Sequence, residues 1–209
     1  MILDFNGIIK KYNLKINGII HIGAHYGEEH FLYKENGINN IVYFEPLKNN
    51  FNILKSNIGE DAILYNMALG SEEKEIEMFV ETANSGQSSS ILEPHLHKQQ
   101  YPNITFDSKE MVKMRKLDNI IEDYNKYNFI NIDVQGYELE VFKGSTEILK
   151  NIDYIMSEIN RDEVYINCTR IEDLKSFLSE YGFVLVEEDW AGNTWGDGFF
   201  IKKELLNEK

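Results

Sequence analysis

The chain has 209 residues, 43% hydrophobic and 27% charged, enough to enclose one sizeable core, so a single domain over 1–209 is expected. Its 35 acidic residues against 21 basic ones leave a formal charge of −14, which repels polyanions and argues against nucleic acid as the main partner. A lone cysteine, Cys168, excludes an internal disulfide and reads as inert, no apolar run approaches the ~20 residues of a membrane helix, and "MILDFNGIIKKYNLK" lacks the order of a secretion signal, so a soluble cytoplasmic protein is expected.

In chain order, β-rich runs alternate with helical patterns: "GIIHIG" then "EEHFLYKENG", "NIVYFEP" then "NNFNILKSNIG", then "AILYNMALG". After a polar interruption come "FINIDV" then "YELEVFKGSTEILK", and "IDYIMSEIN". Parallel strands need crossovers, so this alternation predicts a doubly wound, mostly parallel seven-stranded α/β sheet. Near the end, "IEDLKSFLSEYG" spaces Ile171, Leu174, Phe177, Leu178 and Tyr181 as one face of a helix that stops at Gly182. The last two runs, "FVLVEED" and "GDGFFIKK", are separated by only a few residues, which makes the last strand antiparallel.

The interruption, residues 82–110, gathers glycine, polar residues and two prolines, and a loop this long is read as a substrate lid. Ile91 and Leu92 are placed to pin it, while Gln87, Ser88, Ser89 and His95 are its candidates for touching a substrate; His97 reads as surface. Trp190 and Trp195, flanking "AGNT", are further candidates, because sugar rings stack on such aromatics.

Ligands of doubly wound sheets bind beyond the carboxyl ends of the strands. Those ends deliver His21, Gly23, Ala24, His25 and Gly27 from the first strand, Glu45 and Pro46 from the second, and Asn66, Met67 and Ala68 from the third. The fourth brings Asp133, Gln135 and Gly136, and the fifth Glu158 and Asn160. The glycines allow a sharp turn and close approach to backbone, and a carboxylate at Glu45 stands where ribose hydroxyls are bound. "GAHYGEE" puts His25 where a dinucleotide-binding turn needs its second glycine, which disfavours a nicotinamide cofactor. Adenosine joined to an amino acid, as in S-adenosylmethionine, needs no such approach. Glu45 would then serve the ribose and residues 66–68 the adenine.

From about residue 18 to 203 the chain resembles the FkbM-type methyltransferases, S-adenosylmethionine-dependent enzymes of the Rossmann-like class I methyltransferase fold. The resemblance is carried in order by "HIGAHYGEE", "VYFEP", "NMALGSEEKEIEMF", "KLDNII" and "NIDVQGYELEVFKG". The chain departs at His21 and His25, where the family commonly has Asp and Asn. The resemblance implies O-methylation of a sugar hydroxyl in a glycan or glycoconjugate, with S-adenosylhomocysteine as product and His21, Gly23, Ala24, His25, Gly27, Glu45, Pro46, Asn66, Met67, Ala68 and Asp133 around the cofactor. Asp133 is the first candidate for the base that deprotonates the acceptor, followed by His21 and His25. Asp133, Glu158 and Asn160 also form a candidate Mg²⁺ or Mn²⁺ set. The exposed lid makes a second copy of the chain a candidate partner. The competing readings are a nicotinamide-dependent oxidoreductase and a non-catalytic cofactor-binding module of the same fold.

Overall fold

The structure is a computed structural model describing residues 2–206. Helix α1 (Phe5–Tyr12) precedes β1 (Gly18–Ile22), α2 (His30–Glu35), β2 (Asn40–Phe44), α3 (Lys48–Ile58) and β3 (Ile63–Tyr65). The chain leaves the main sheet through β4 (Ala68–Leu69), β5 (Lys74–Val80), α4 (Leu96–Gln100) and β6 (Ser108–Arg115). It returns with β7 (Phe129–Ile132), α5 (Glu138–Lys143), β8 (Tyr154–Asn160), α6 (Ile171–Glu180), β9 (Phe183–Ala191), β10 (Trp195–Lys202) and α7 (Lys203–Leu206).

The main sheet has seven strands in the order β3-β2-β1-β7-β8-β10-β9. All pairs from β3 to β8 are parallel, and β10, last in the chain, runs antiparallel to both neighbours. Strands β1, β7 and β8 are buried along their whole length, as expected where helices cover both faces. Their side chains alternate between two cores. Ile20, Ile22, Ile130, Ile132 and Ile155 pack with Phe142, Leu149, Leu174 and Leu178 on one face. Ile19, Phe129, Met156 and Phe199 pack with Phe5, Ile8, Tyr33 and Leu54 on the other. Strand order reverses between β1 and β7, so their carboxyl ends open the crevice in which such sheets bind ligands. Among the described residues no helix is long and apolar enough to cross a membrane.

Three elements differ from expectation, each for a local reason. The run 62–70 is two strands, because the Asn66 amide donates to the Glu45 and Pro46 carbonyls (3.0 and 2.8 Å) and turns the chain out of the main sheet. The run 137–150 breaks at Gly144, which lies so close to the Gly70 carbonyl that a Cβ would stand 2.0 Å from it. Asp118 then accepts from the Glu147 and Ile148 N–H groups (both 3.0 Å) and starts a separate short turn. The interruption at 82–110 holds α4 and the first residues of β6, which lies between β4 and β5 in a second, three-stranded sheet over a core of Leu47, Ala68, Met78, Val112 and Met114. That small sheet carries the 82–107 segment across the crevice mouth: Phe79 bridges Ser90 and Pro94 bridges Tyr165.

Candidate active site

At the end of β1 the Gly23 and Ala24 N–H groups both donate to the Phe44 carbonyl (2.9 and 3.0 Å), which ties the turn to β2. Gly23 has φ +80, and a Cβ there would stand 1.9 Å from the Asp133 carbonyl oxygen, so only glycine fits. The following turn aims backbone donors at Glu45. His25 N–H reaches Oε2 at 3.0 Å and Leu47 N–H reaches Oε1 at 2.8 Å. Glu45 is buried, and burial raises its carboxyl to about 7 against the opposing pull of those two N–H groups.

Glu45 forms part of the wall of a cavity, with Gly23, Pro46, Met67, Ala68 and Asp133 and the apolar Phe44, Leu47, Leu69 and Met78. Asn66 lies behind this wall as the brace of the turn, and Gly27 packs against Leu54 instead of lining the cavity. A second, larger cavity adjoins it. The two share Gly23, His25, Gln87, Asp133 and Gln135. Ser89 faces the first, Ser88 and Trp195 the second, together with His21, Ala24 and Glu158.

The floor of the junction is a hydrogen-bonded carboxyl pair. Gln135 Nε2 donates to Asp133 Oδ1 (2.7 Å) and Glu158 Oε2 (2.5 Å), and Tyr165 Oη donates to Gln135 Oε1 (2.7 Å). Burial, and then the neighbouring Asp133 charge, push the Glu158 carboxyl well above the usual carboxylate range. Gln135 sits in the left-handed region (φ 54), a costly conformation for a residue with a side chain. Its carbonyl accepts from Ser90 Oγ (2.8 Å), and the buried Glu138 carboxyl, itself raised by burial to about 7, accepts from the Val134 and Gly136 N–H groups on either side. Ser90 Oγ also accepts from Leu92 N–H (3.0 Å), so Ser90 fastens the 82–107 segment to the floor. Ser90→Ala is expected to cost ~1 kcal/mol in urea denaturation, the net worth of a buried hydrogen bond.

His21 is buried, with Nδ1 3.2 Å from Tyr33 Oη and Nε2 3.4 Å from Asn131 Nδ2, and burial lowers its pKa, keeping it neutral. The ring of His25 has both nitrogens engaged, Nδ1 with Glu28 Oε1 (2.6 Å) and Nε2 with the Ser85 carbonyl (2.9 Å). Burial works against its charge, but the Glu28 carboxylate and the Ser85 carbonyl outweigh it and raise the His25 pKa. His25 thus links the glycine turn to the segment above. His95 is exposed and faces neither cavity, whereas His97, two residues on, is buried in the wall of the larger one. Trp190 also lies outside both, stacked under Arg161 at 3.5 Å. The space between Asp133 and Glu158 is bridged by an N–H donor, and Asn160 turns its own Nδ2 toward Glu158 (3.3 Å). Donors in those positions do not fit a cation, and among the described residues no three His, Cys, Asp or Glu side chains form a metal-holding group.

Residues 21–185 match the model of the methyltransferase FkbM domain. The chain belongs to the FkbM methyltransferase family. No curated protein matches it in sequence. Among solved structures it is similar to Sp1610 of Streptococcus pneumoniae, a proposed tRNA (m1A22) methyltransferase in complex with S-adenosyl-L-methionine. That match has 12% identity over 97% of this chain and 73% of that one, with a TM-score of 0.55. The magnesium protoporphyrin IX methyltransferase ChlM of Synechocystis PCC 6803 with bound SAM is similar at 8% identity, 95% and 76% coverage and TM-score 0.54. The ribosomal protein L11 methylase of Lactobacillus delbrueckii subsp. bulgaricus gives 10%, 95%, 75% and 0.53. At these identities the shared property is the Rossmann-like methyltransferase fold.

In this FkbM methyltransferase several lining residues carry no sequence signal of their own. Tyr101 and His97 arrive on the segment over the crevice and Asp197 on β10. Tyr165, which holds Gln135, lies in the connection after β8. Only the cluster "NIDVQG" announces Gln135, two residues beyond Asp133 at a strand end.

Proposed function

We propose that this methyltransferase transfers the methyl group of S-adenosylmethionine to a sugar hydroxyl of a glycan or glycoconjugate, releasing S-adenosylhomocysteine. The observation that carries the reading is the meeting of two cavities at Asp133 and Gln135, one with apolar walls around the buried Glu45 carboxylate and the other larger, with His21, Glu158 and Trp195 in its wall. Apolar walls around one buried carboxylate suit adenosine. When bound, S-adenosylmethionine supplies a methyl group activated on a sulfonium centre. Glu45 accepts the ribose hydroxyls, Met67, Ala68, Leu47 and Met78 enclose the adenine, and the turn at Gly23 leaves room for the amino-acid end. Asp133, at the junction, takes the proton of the acceptor hydroxyl. Gln135 fixes its rotamer. Positioning in such a cleft is worth up to ~7–11 kcal/mol in intramolecular models, and a placed base a further ~10²–10⁴-fold.

Trp195 Nε1 donates to Tyr101 Oη (2.8 Å), and the two rings form a wall on which a sugar face can stack. The segment over residues 82–107 acts as the lid of this acceptor cleft, and the buried lone Cys168 suits a reducing cytoplasm. Incubation with S-adenosylmethionine and a panel of oligosaccharides, read by mass spectrometry, tests the reading. Acceptor-dependent S-adenosylhomocysteine together with a methylated sugar is expected; methylation of protein or RNA in place of carbohydrate contradicts it. Because Gln135 bridges the carboxyl pair, exhaustive EDTA is expected to leave the rate unchanged. A rate lost to EDTA and restored by Mg²⁺ or Mn²⁺ would return Asp133, Glu158 and Asn160 to a metal role.

A further inference from the structure

The buried stripe of α3 is Asn50, Leu54 and Ile58, one residue per turn. Leu54 and Ile58 belong to the apolar core, but Asn50 opens the stripe with a carboxamide that is 6% exposed and stands in the wall of the cavity beside Glu45. Among the described residues this carboxamide has no hydrogen-bond partner. We propose that Asn50 is a second group that recognises the ribose of S-adenosylmethionine, its Nδ2 donating to one oxygen of the diol whose protons go to Glu45; this rests on the cofactor reading above.

A stripe at this spacing is apolar where it only packs, and a buried amide that has lost water without finding a partner is costly. The amide is not sealed in the core. Trp190 Nε1 and His97 Nδ1 are closed off from any approach, whereas the Asn50 carboxamide keeps accessible surface in a cavity wall, where a ligand can reach it. Gly86, in the segment over the crevice, lies so close that a Cβ there would stand 2.9 Å from Asn50 Nδ2. Its own polar groups are engaged elsewhere, the N–H with Glu81 Oε2 (2.8 Å) and the carbonyl with the Ser89 N–H (3.1 Å). Gly86 therefore covers Asn50 without satisfying it.

The contacts around Asn50 lead back to Glu45. Gly86 follows Ser85, whose carbonyl meets the His25 ring (2.9 Å), and the His25 N–H holds the Glu45 carboxylate (3.0 Å). Along the chain, Leu47 caps α3 and donates its N–H to the same carboxylate (2.8 Å), which fixes the start of the helix that presents Asn50. An ionised carboxylate only accepts, while a carboxamide also donates. Each ribose hydroxyl has a proton to give and lone pairs to fill. Glu45 can take the protons, and Asn50 Nδ2 supplies a donor for an oxygen. The pair thus answers both sides of a diol, which neither residue does alone.

The test is calorimetric titration of the full chain with S-adenosylhomocysteine and with its 2′-deoxy and 3′-deoxy ribose analogues. Asn50→Leu, which continues the apolar stripe, is expected to weaken S-adenosylhomocysteine at least ~5-fold, the scale of one neutral hydrogen bond. For one of the two deoxy analogues, the one lacking the hydroxyl that Asn50 reaches, the same substitution should change affinity by no more than ~2-fold. Asn50→Ala gives the same comparison should leucine not fit beneath Gly86. Unchanged affinity for S-adenosylhomocysteine overturns the inference. So does a loss of equal size for all three ligands, which is the result of a contact to the adenine or of a purely structural role. Failure of S-adenosylhomocysteine to bind the wild type defeats the cofactor reading itself.

Discussion

Asp133→Asn is expected to lower methyl transfer by at least ~10²-fold while leaving S-adenosylmethionine affinity within a few-fold, because the substitution keeps the shape and removes the proposed base. The main-chain contacts of this position survive: its N–H donates to the Ile22 carbonyl (3.0 Å) and its own carbonyl packs against Gly23. Gln135 retains Glu158 as an acceptor, so the loop stays in place. Glu158 loses the charge that helps to raise its pKa, and its carboxyl shifts back toward the ordinary range. Glu158 lies in the same cleft, so a residual rate that rises with pH in the Asp133→Asn enzyme is the expected trace of that change. Stopped assays at saturating cofactor give the first quantity and calorimetry the second. A wild-type rate in a folded variant removes Asp133 from the chemistry.

Glu45→Ala is expected to weaken S-adenosylmethionine by ~1.5–3 kcal/mol, roughly 10–150-fold, the loss typical of hydrogen bonds to a charged group. The wild-type affinity is also expected to depend on pH. With the carboxyl of the free enzyme raised to about 7, the ionised form, proposed above to accept the ribose hydroxyls, is fully present only above that pH. Affinity is therefore highest above about pH 7 and falls up to tenfold per unit below it, as the proton must be displaced. The sign for folding is opposite. A carboxyl whose folded pKa is raised from 4.5 to about 7 favours the folded state at low pH, so the free protein loses this contribution as pH rises through that window. Glu45→Gln should flatten the binding profile, and any slope that survives reports Glu138, which titrates in the same range beneath the Val134–Gly136 turn. A flat wild-type profile with full affinity at pH 6 contradicts this role.

The cavity beside Glu45 was legible because it is built from strand ends, and strand ends can be found from local patterns. Gly23, Glu45, Met67, Ala68 and Asp133 each close or follow an apolar run, and parallel topology brings such ends to one rim whatever lies between them. The wall of the larger cavity was legible only in part. His97, Tyr101, Tyr165 and Asp197 meet through the folding of 82–107 over the crevice and the antiparallel return of β10, contacts between residues far apart in the chain. His95 and His97 look alike in sequence, and the pairing of this stretch with residues 163–165, by the Pro94–Tyr165 bridge and the His95 and His97 N–H bonds to the Val164 carbonyl, is where His97 is buried and His95 left exposed. The second sheet was hidden for a related reason: β5 and β6 pair across nearly thirty intervening residues, and the alternation of Val112 and Met114 with charged neighbours follows directly on the polar segment. Helix α1, with Phe5 and Ile8 one turn apart, follows the helical period but is too short to stand out from its surroundings.

The most direct test of the central claim is differential scanning calorimetry of the purified chain with S-adenosylmethionine, S-adenosylhomocysteine or NAD. At 100 times Kd a ligand specific for the folded state stabilises it by ~2.7 kcal/mol, a readily measured rise in Tm. The two adenosyl ligands are expected to produce that rise in the wild type and much less of it in Glu45→Ala, with NAD producing none. A protein that responds to NAD, or to none of the three, contradicts the account.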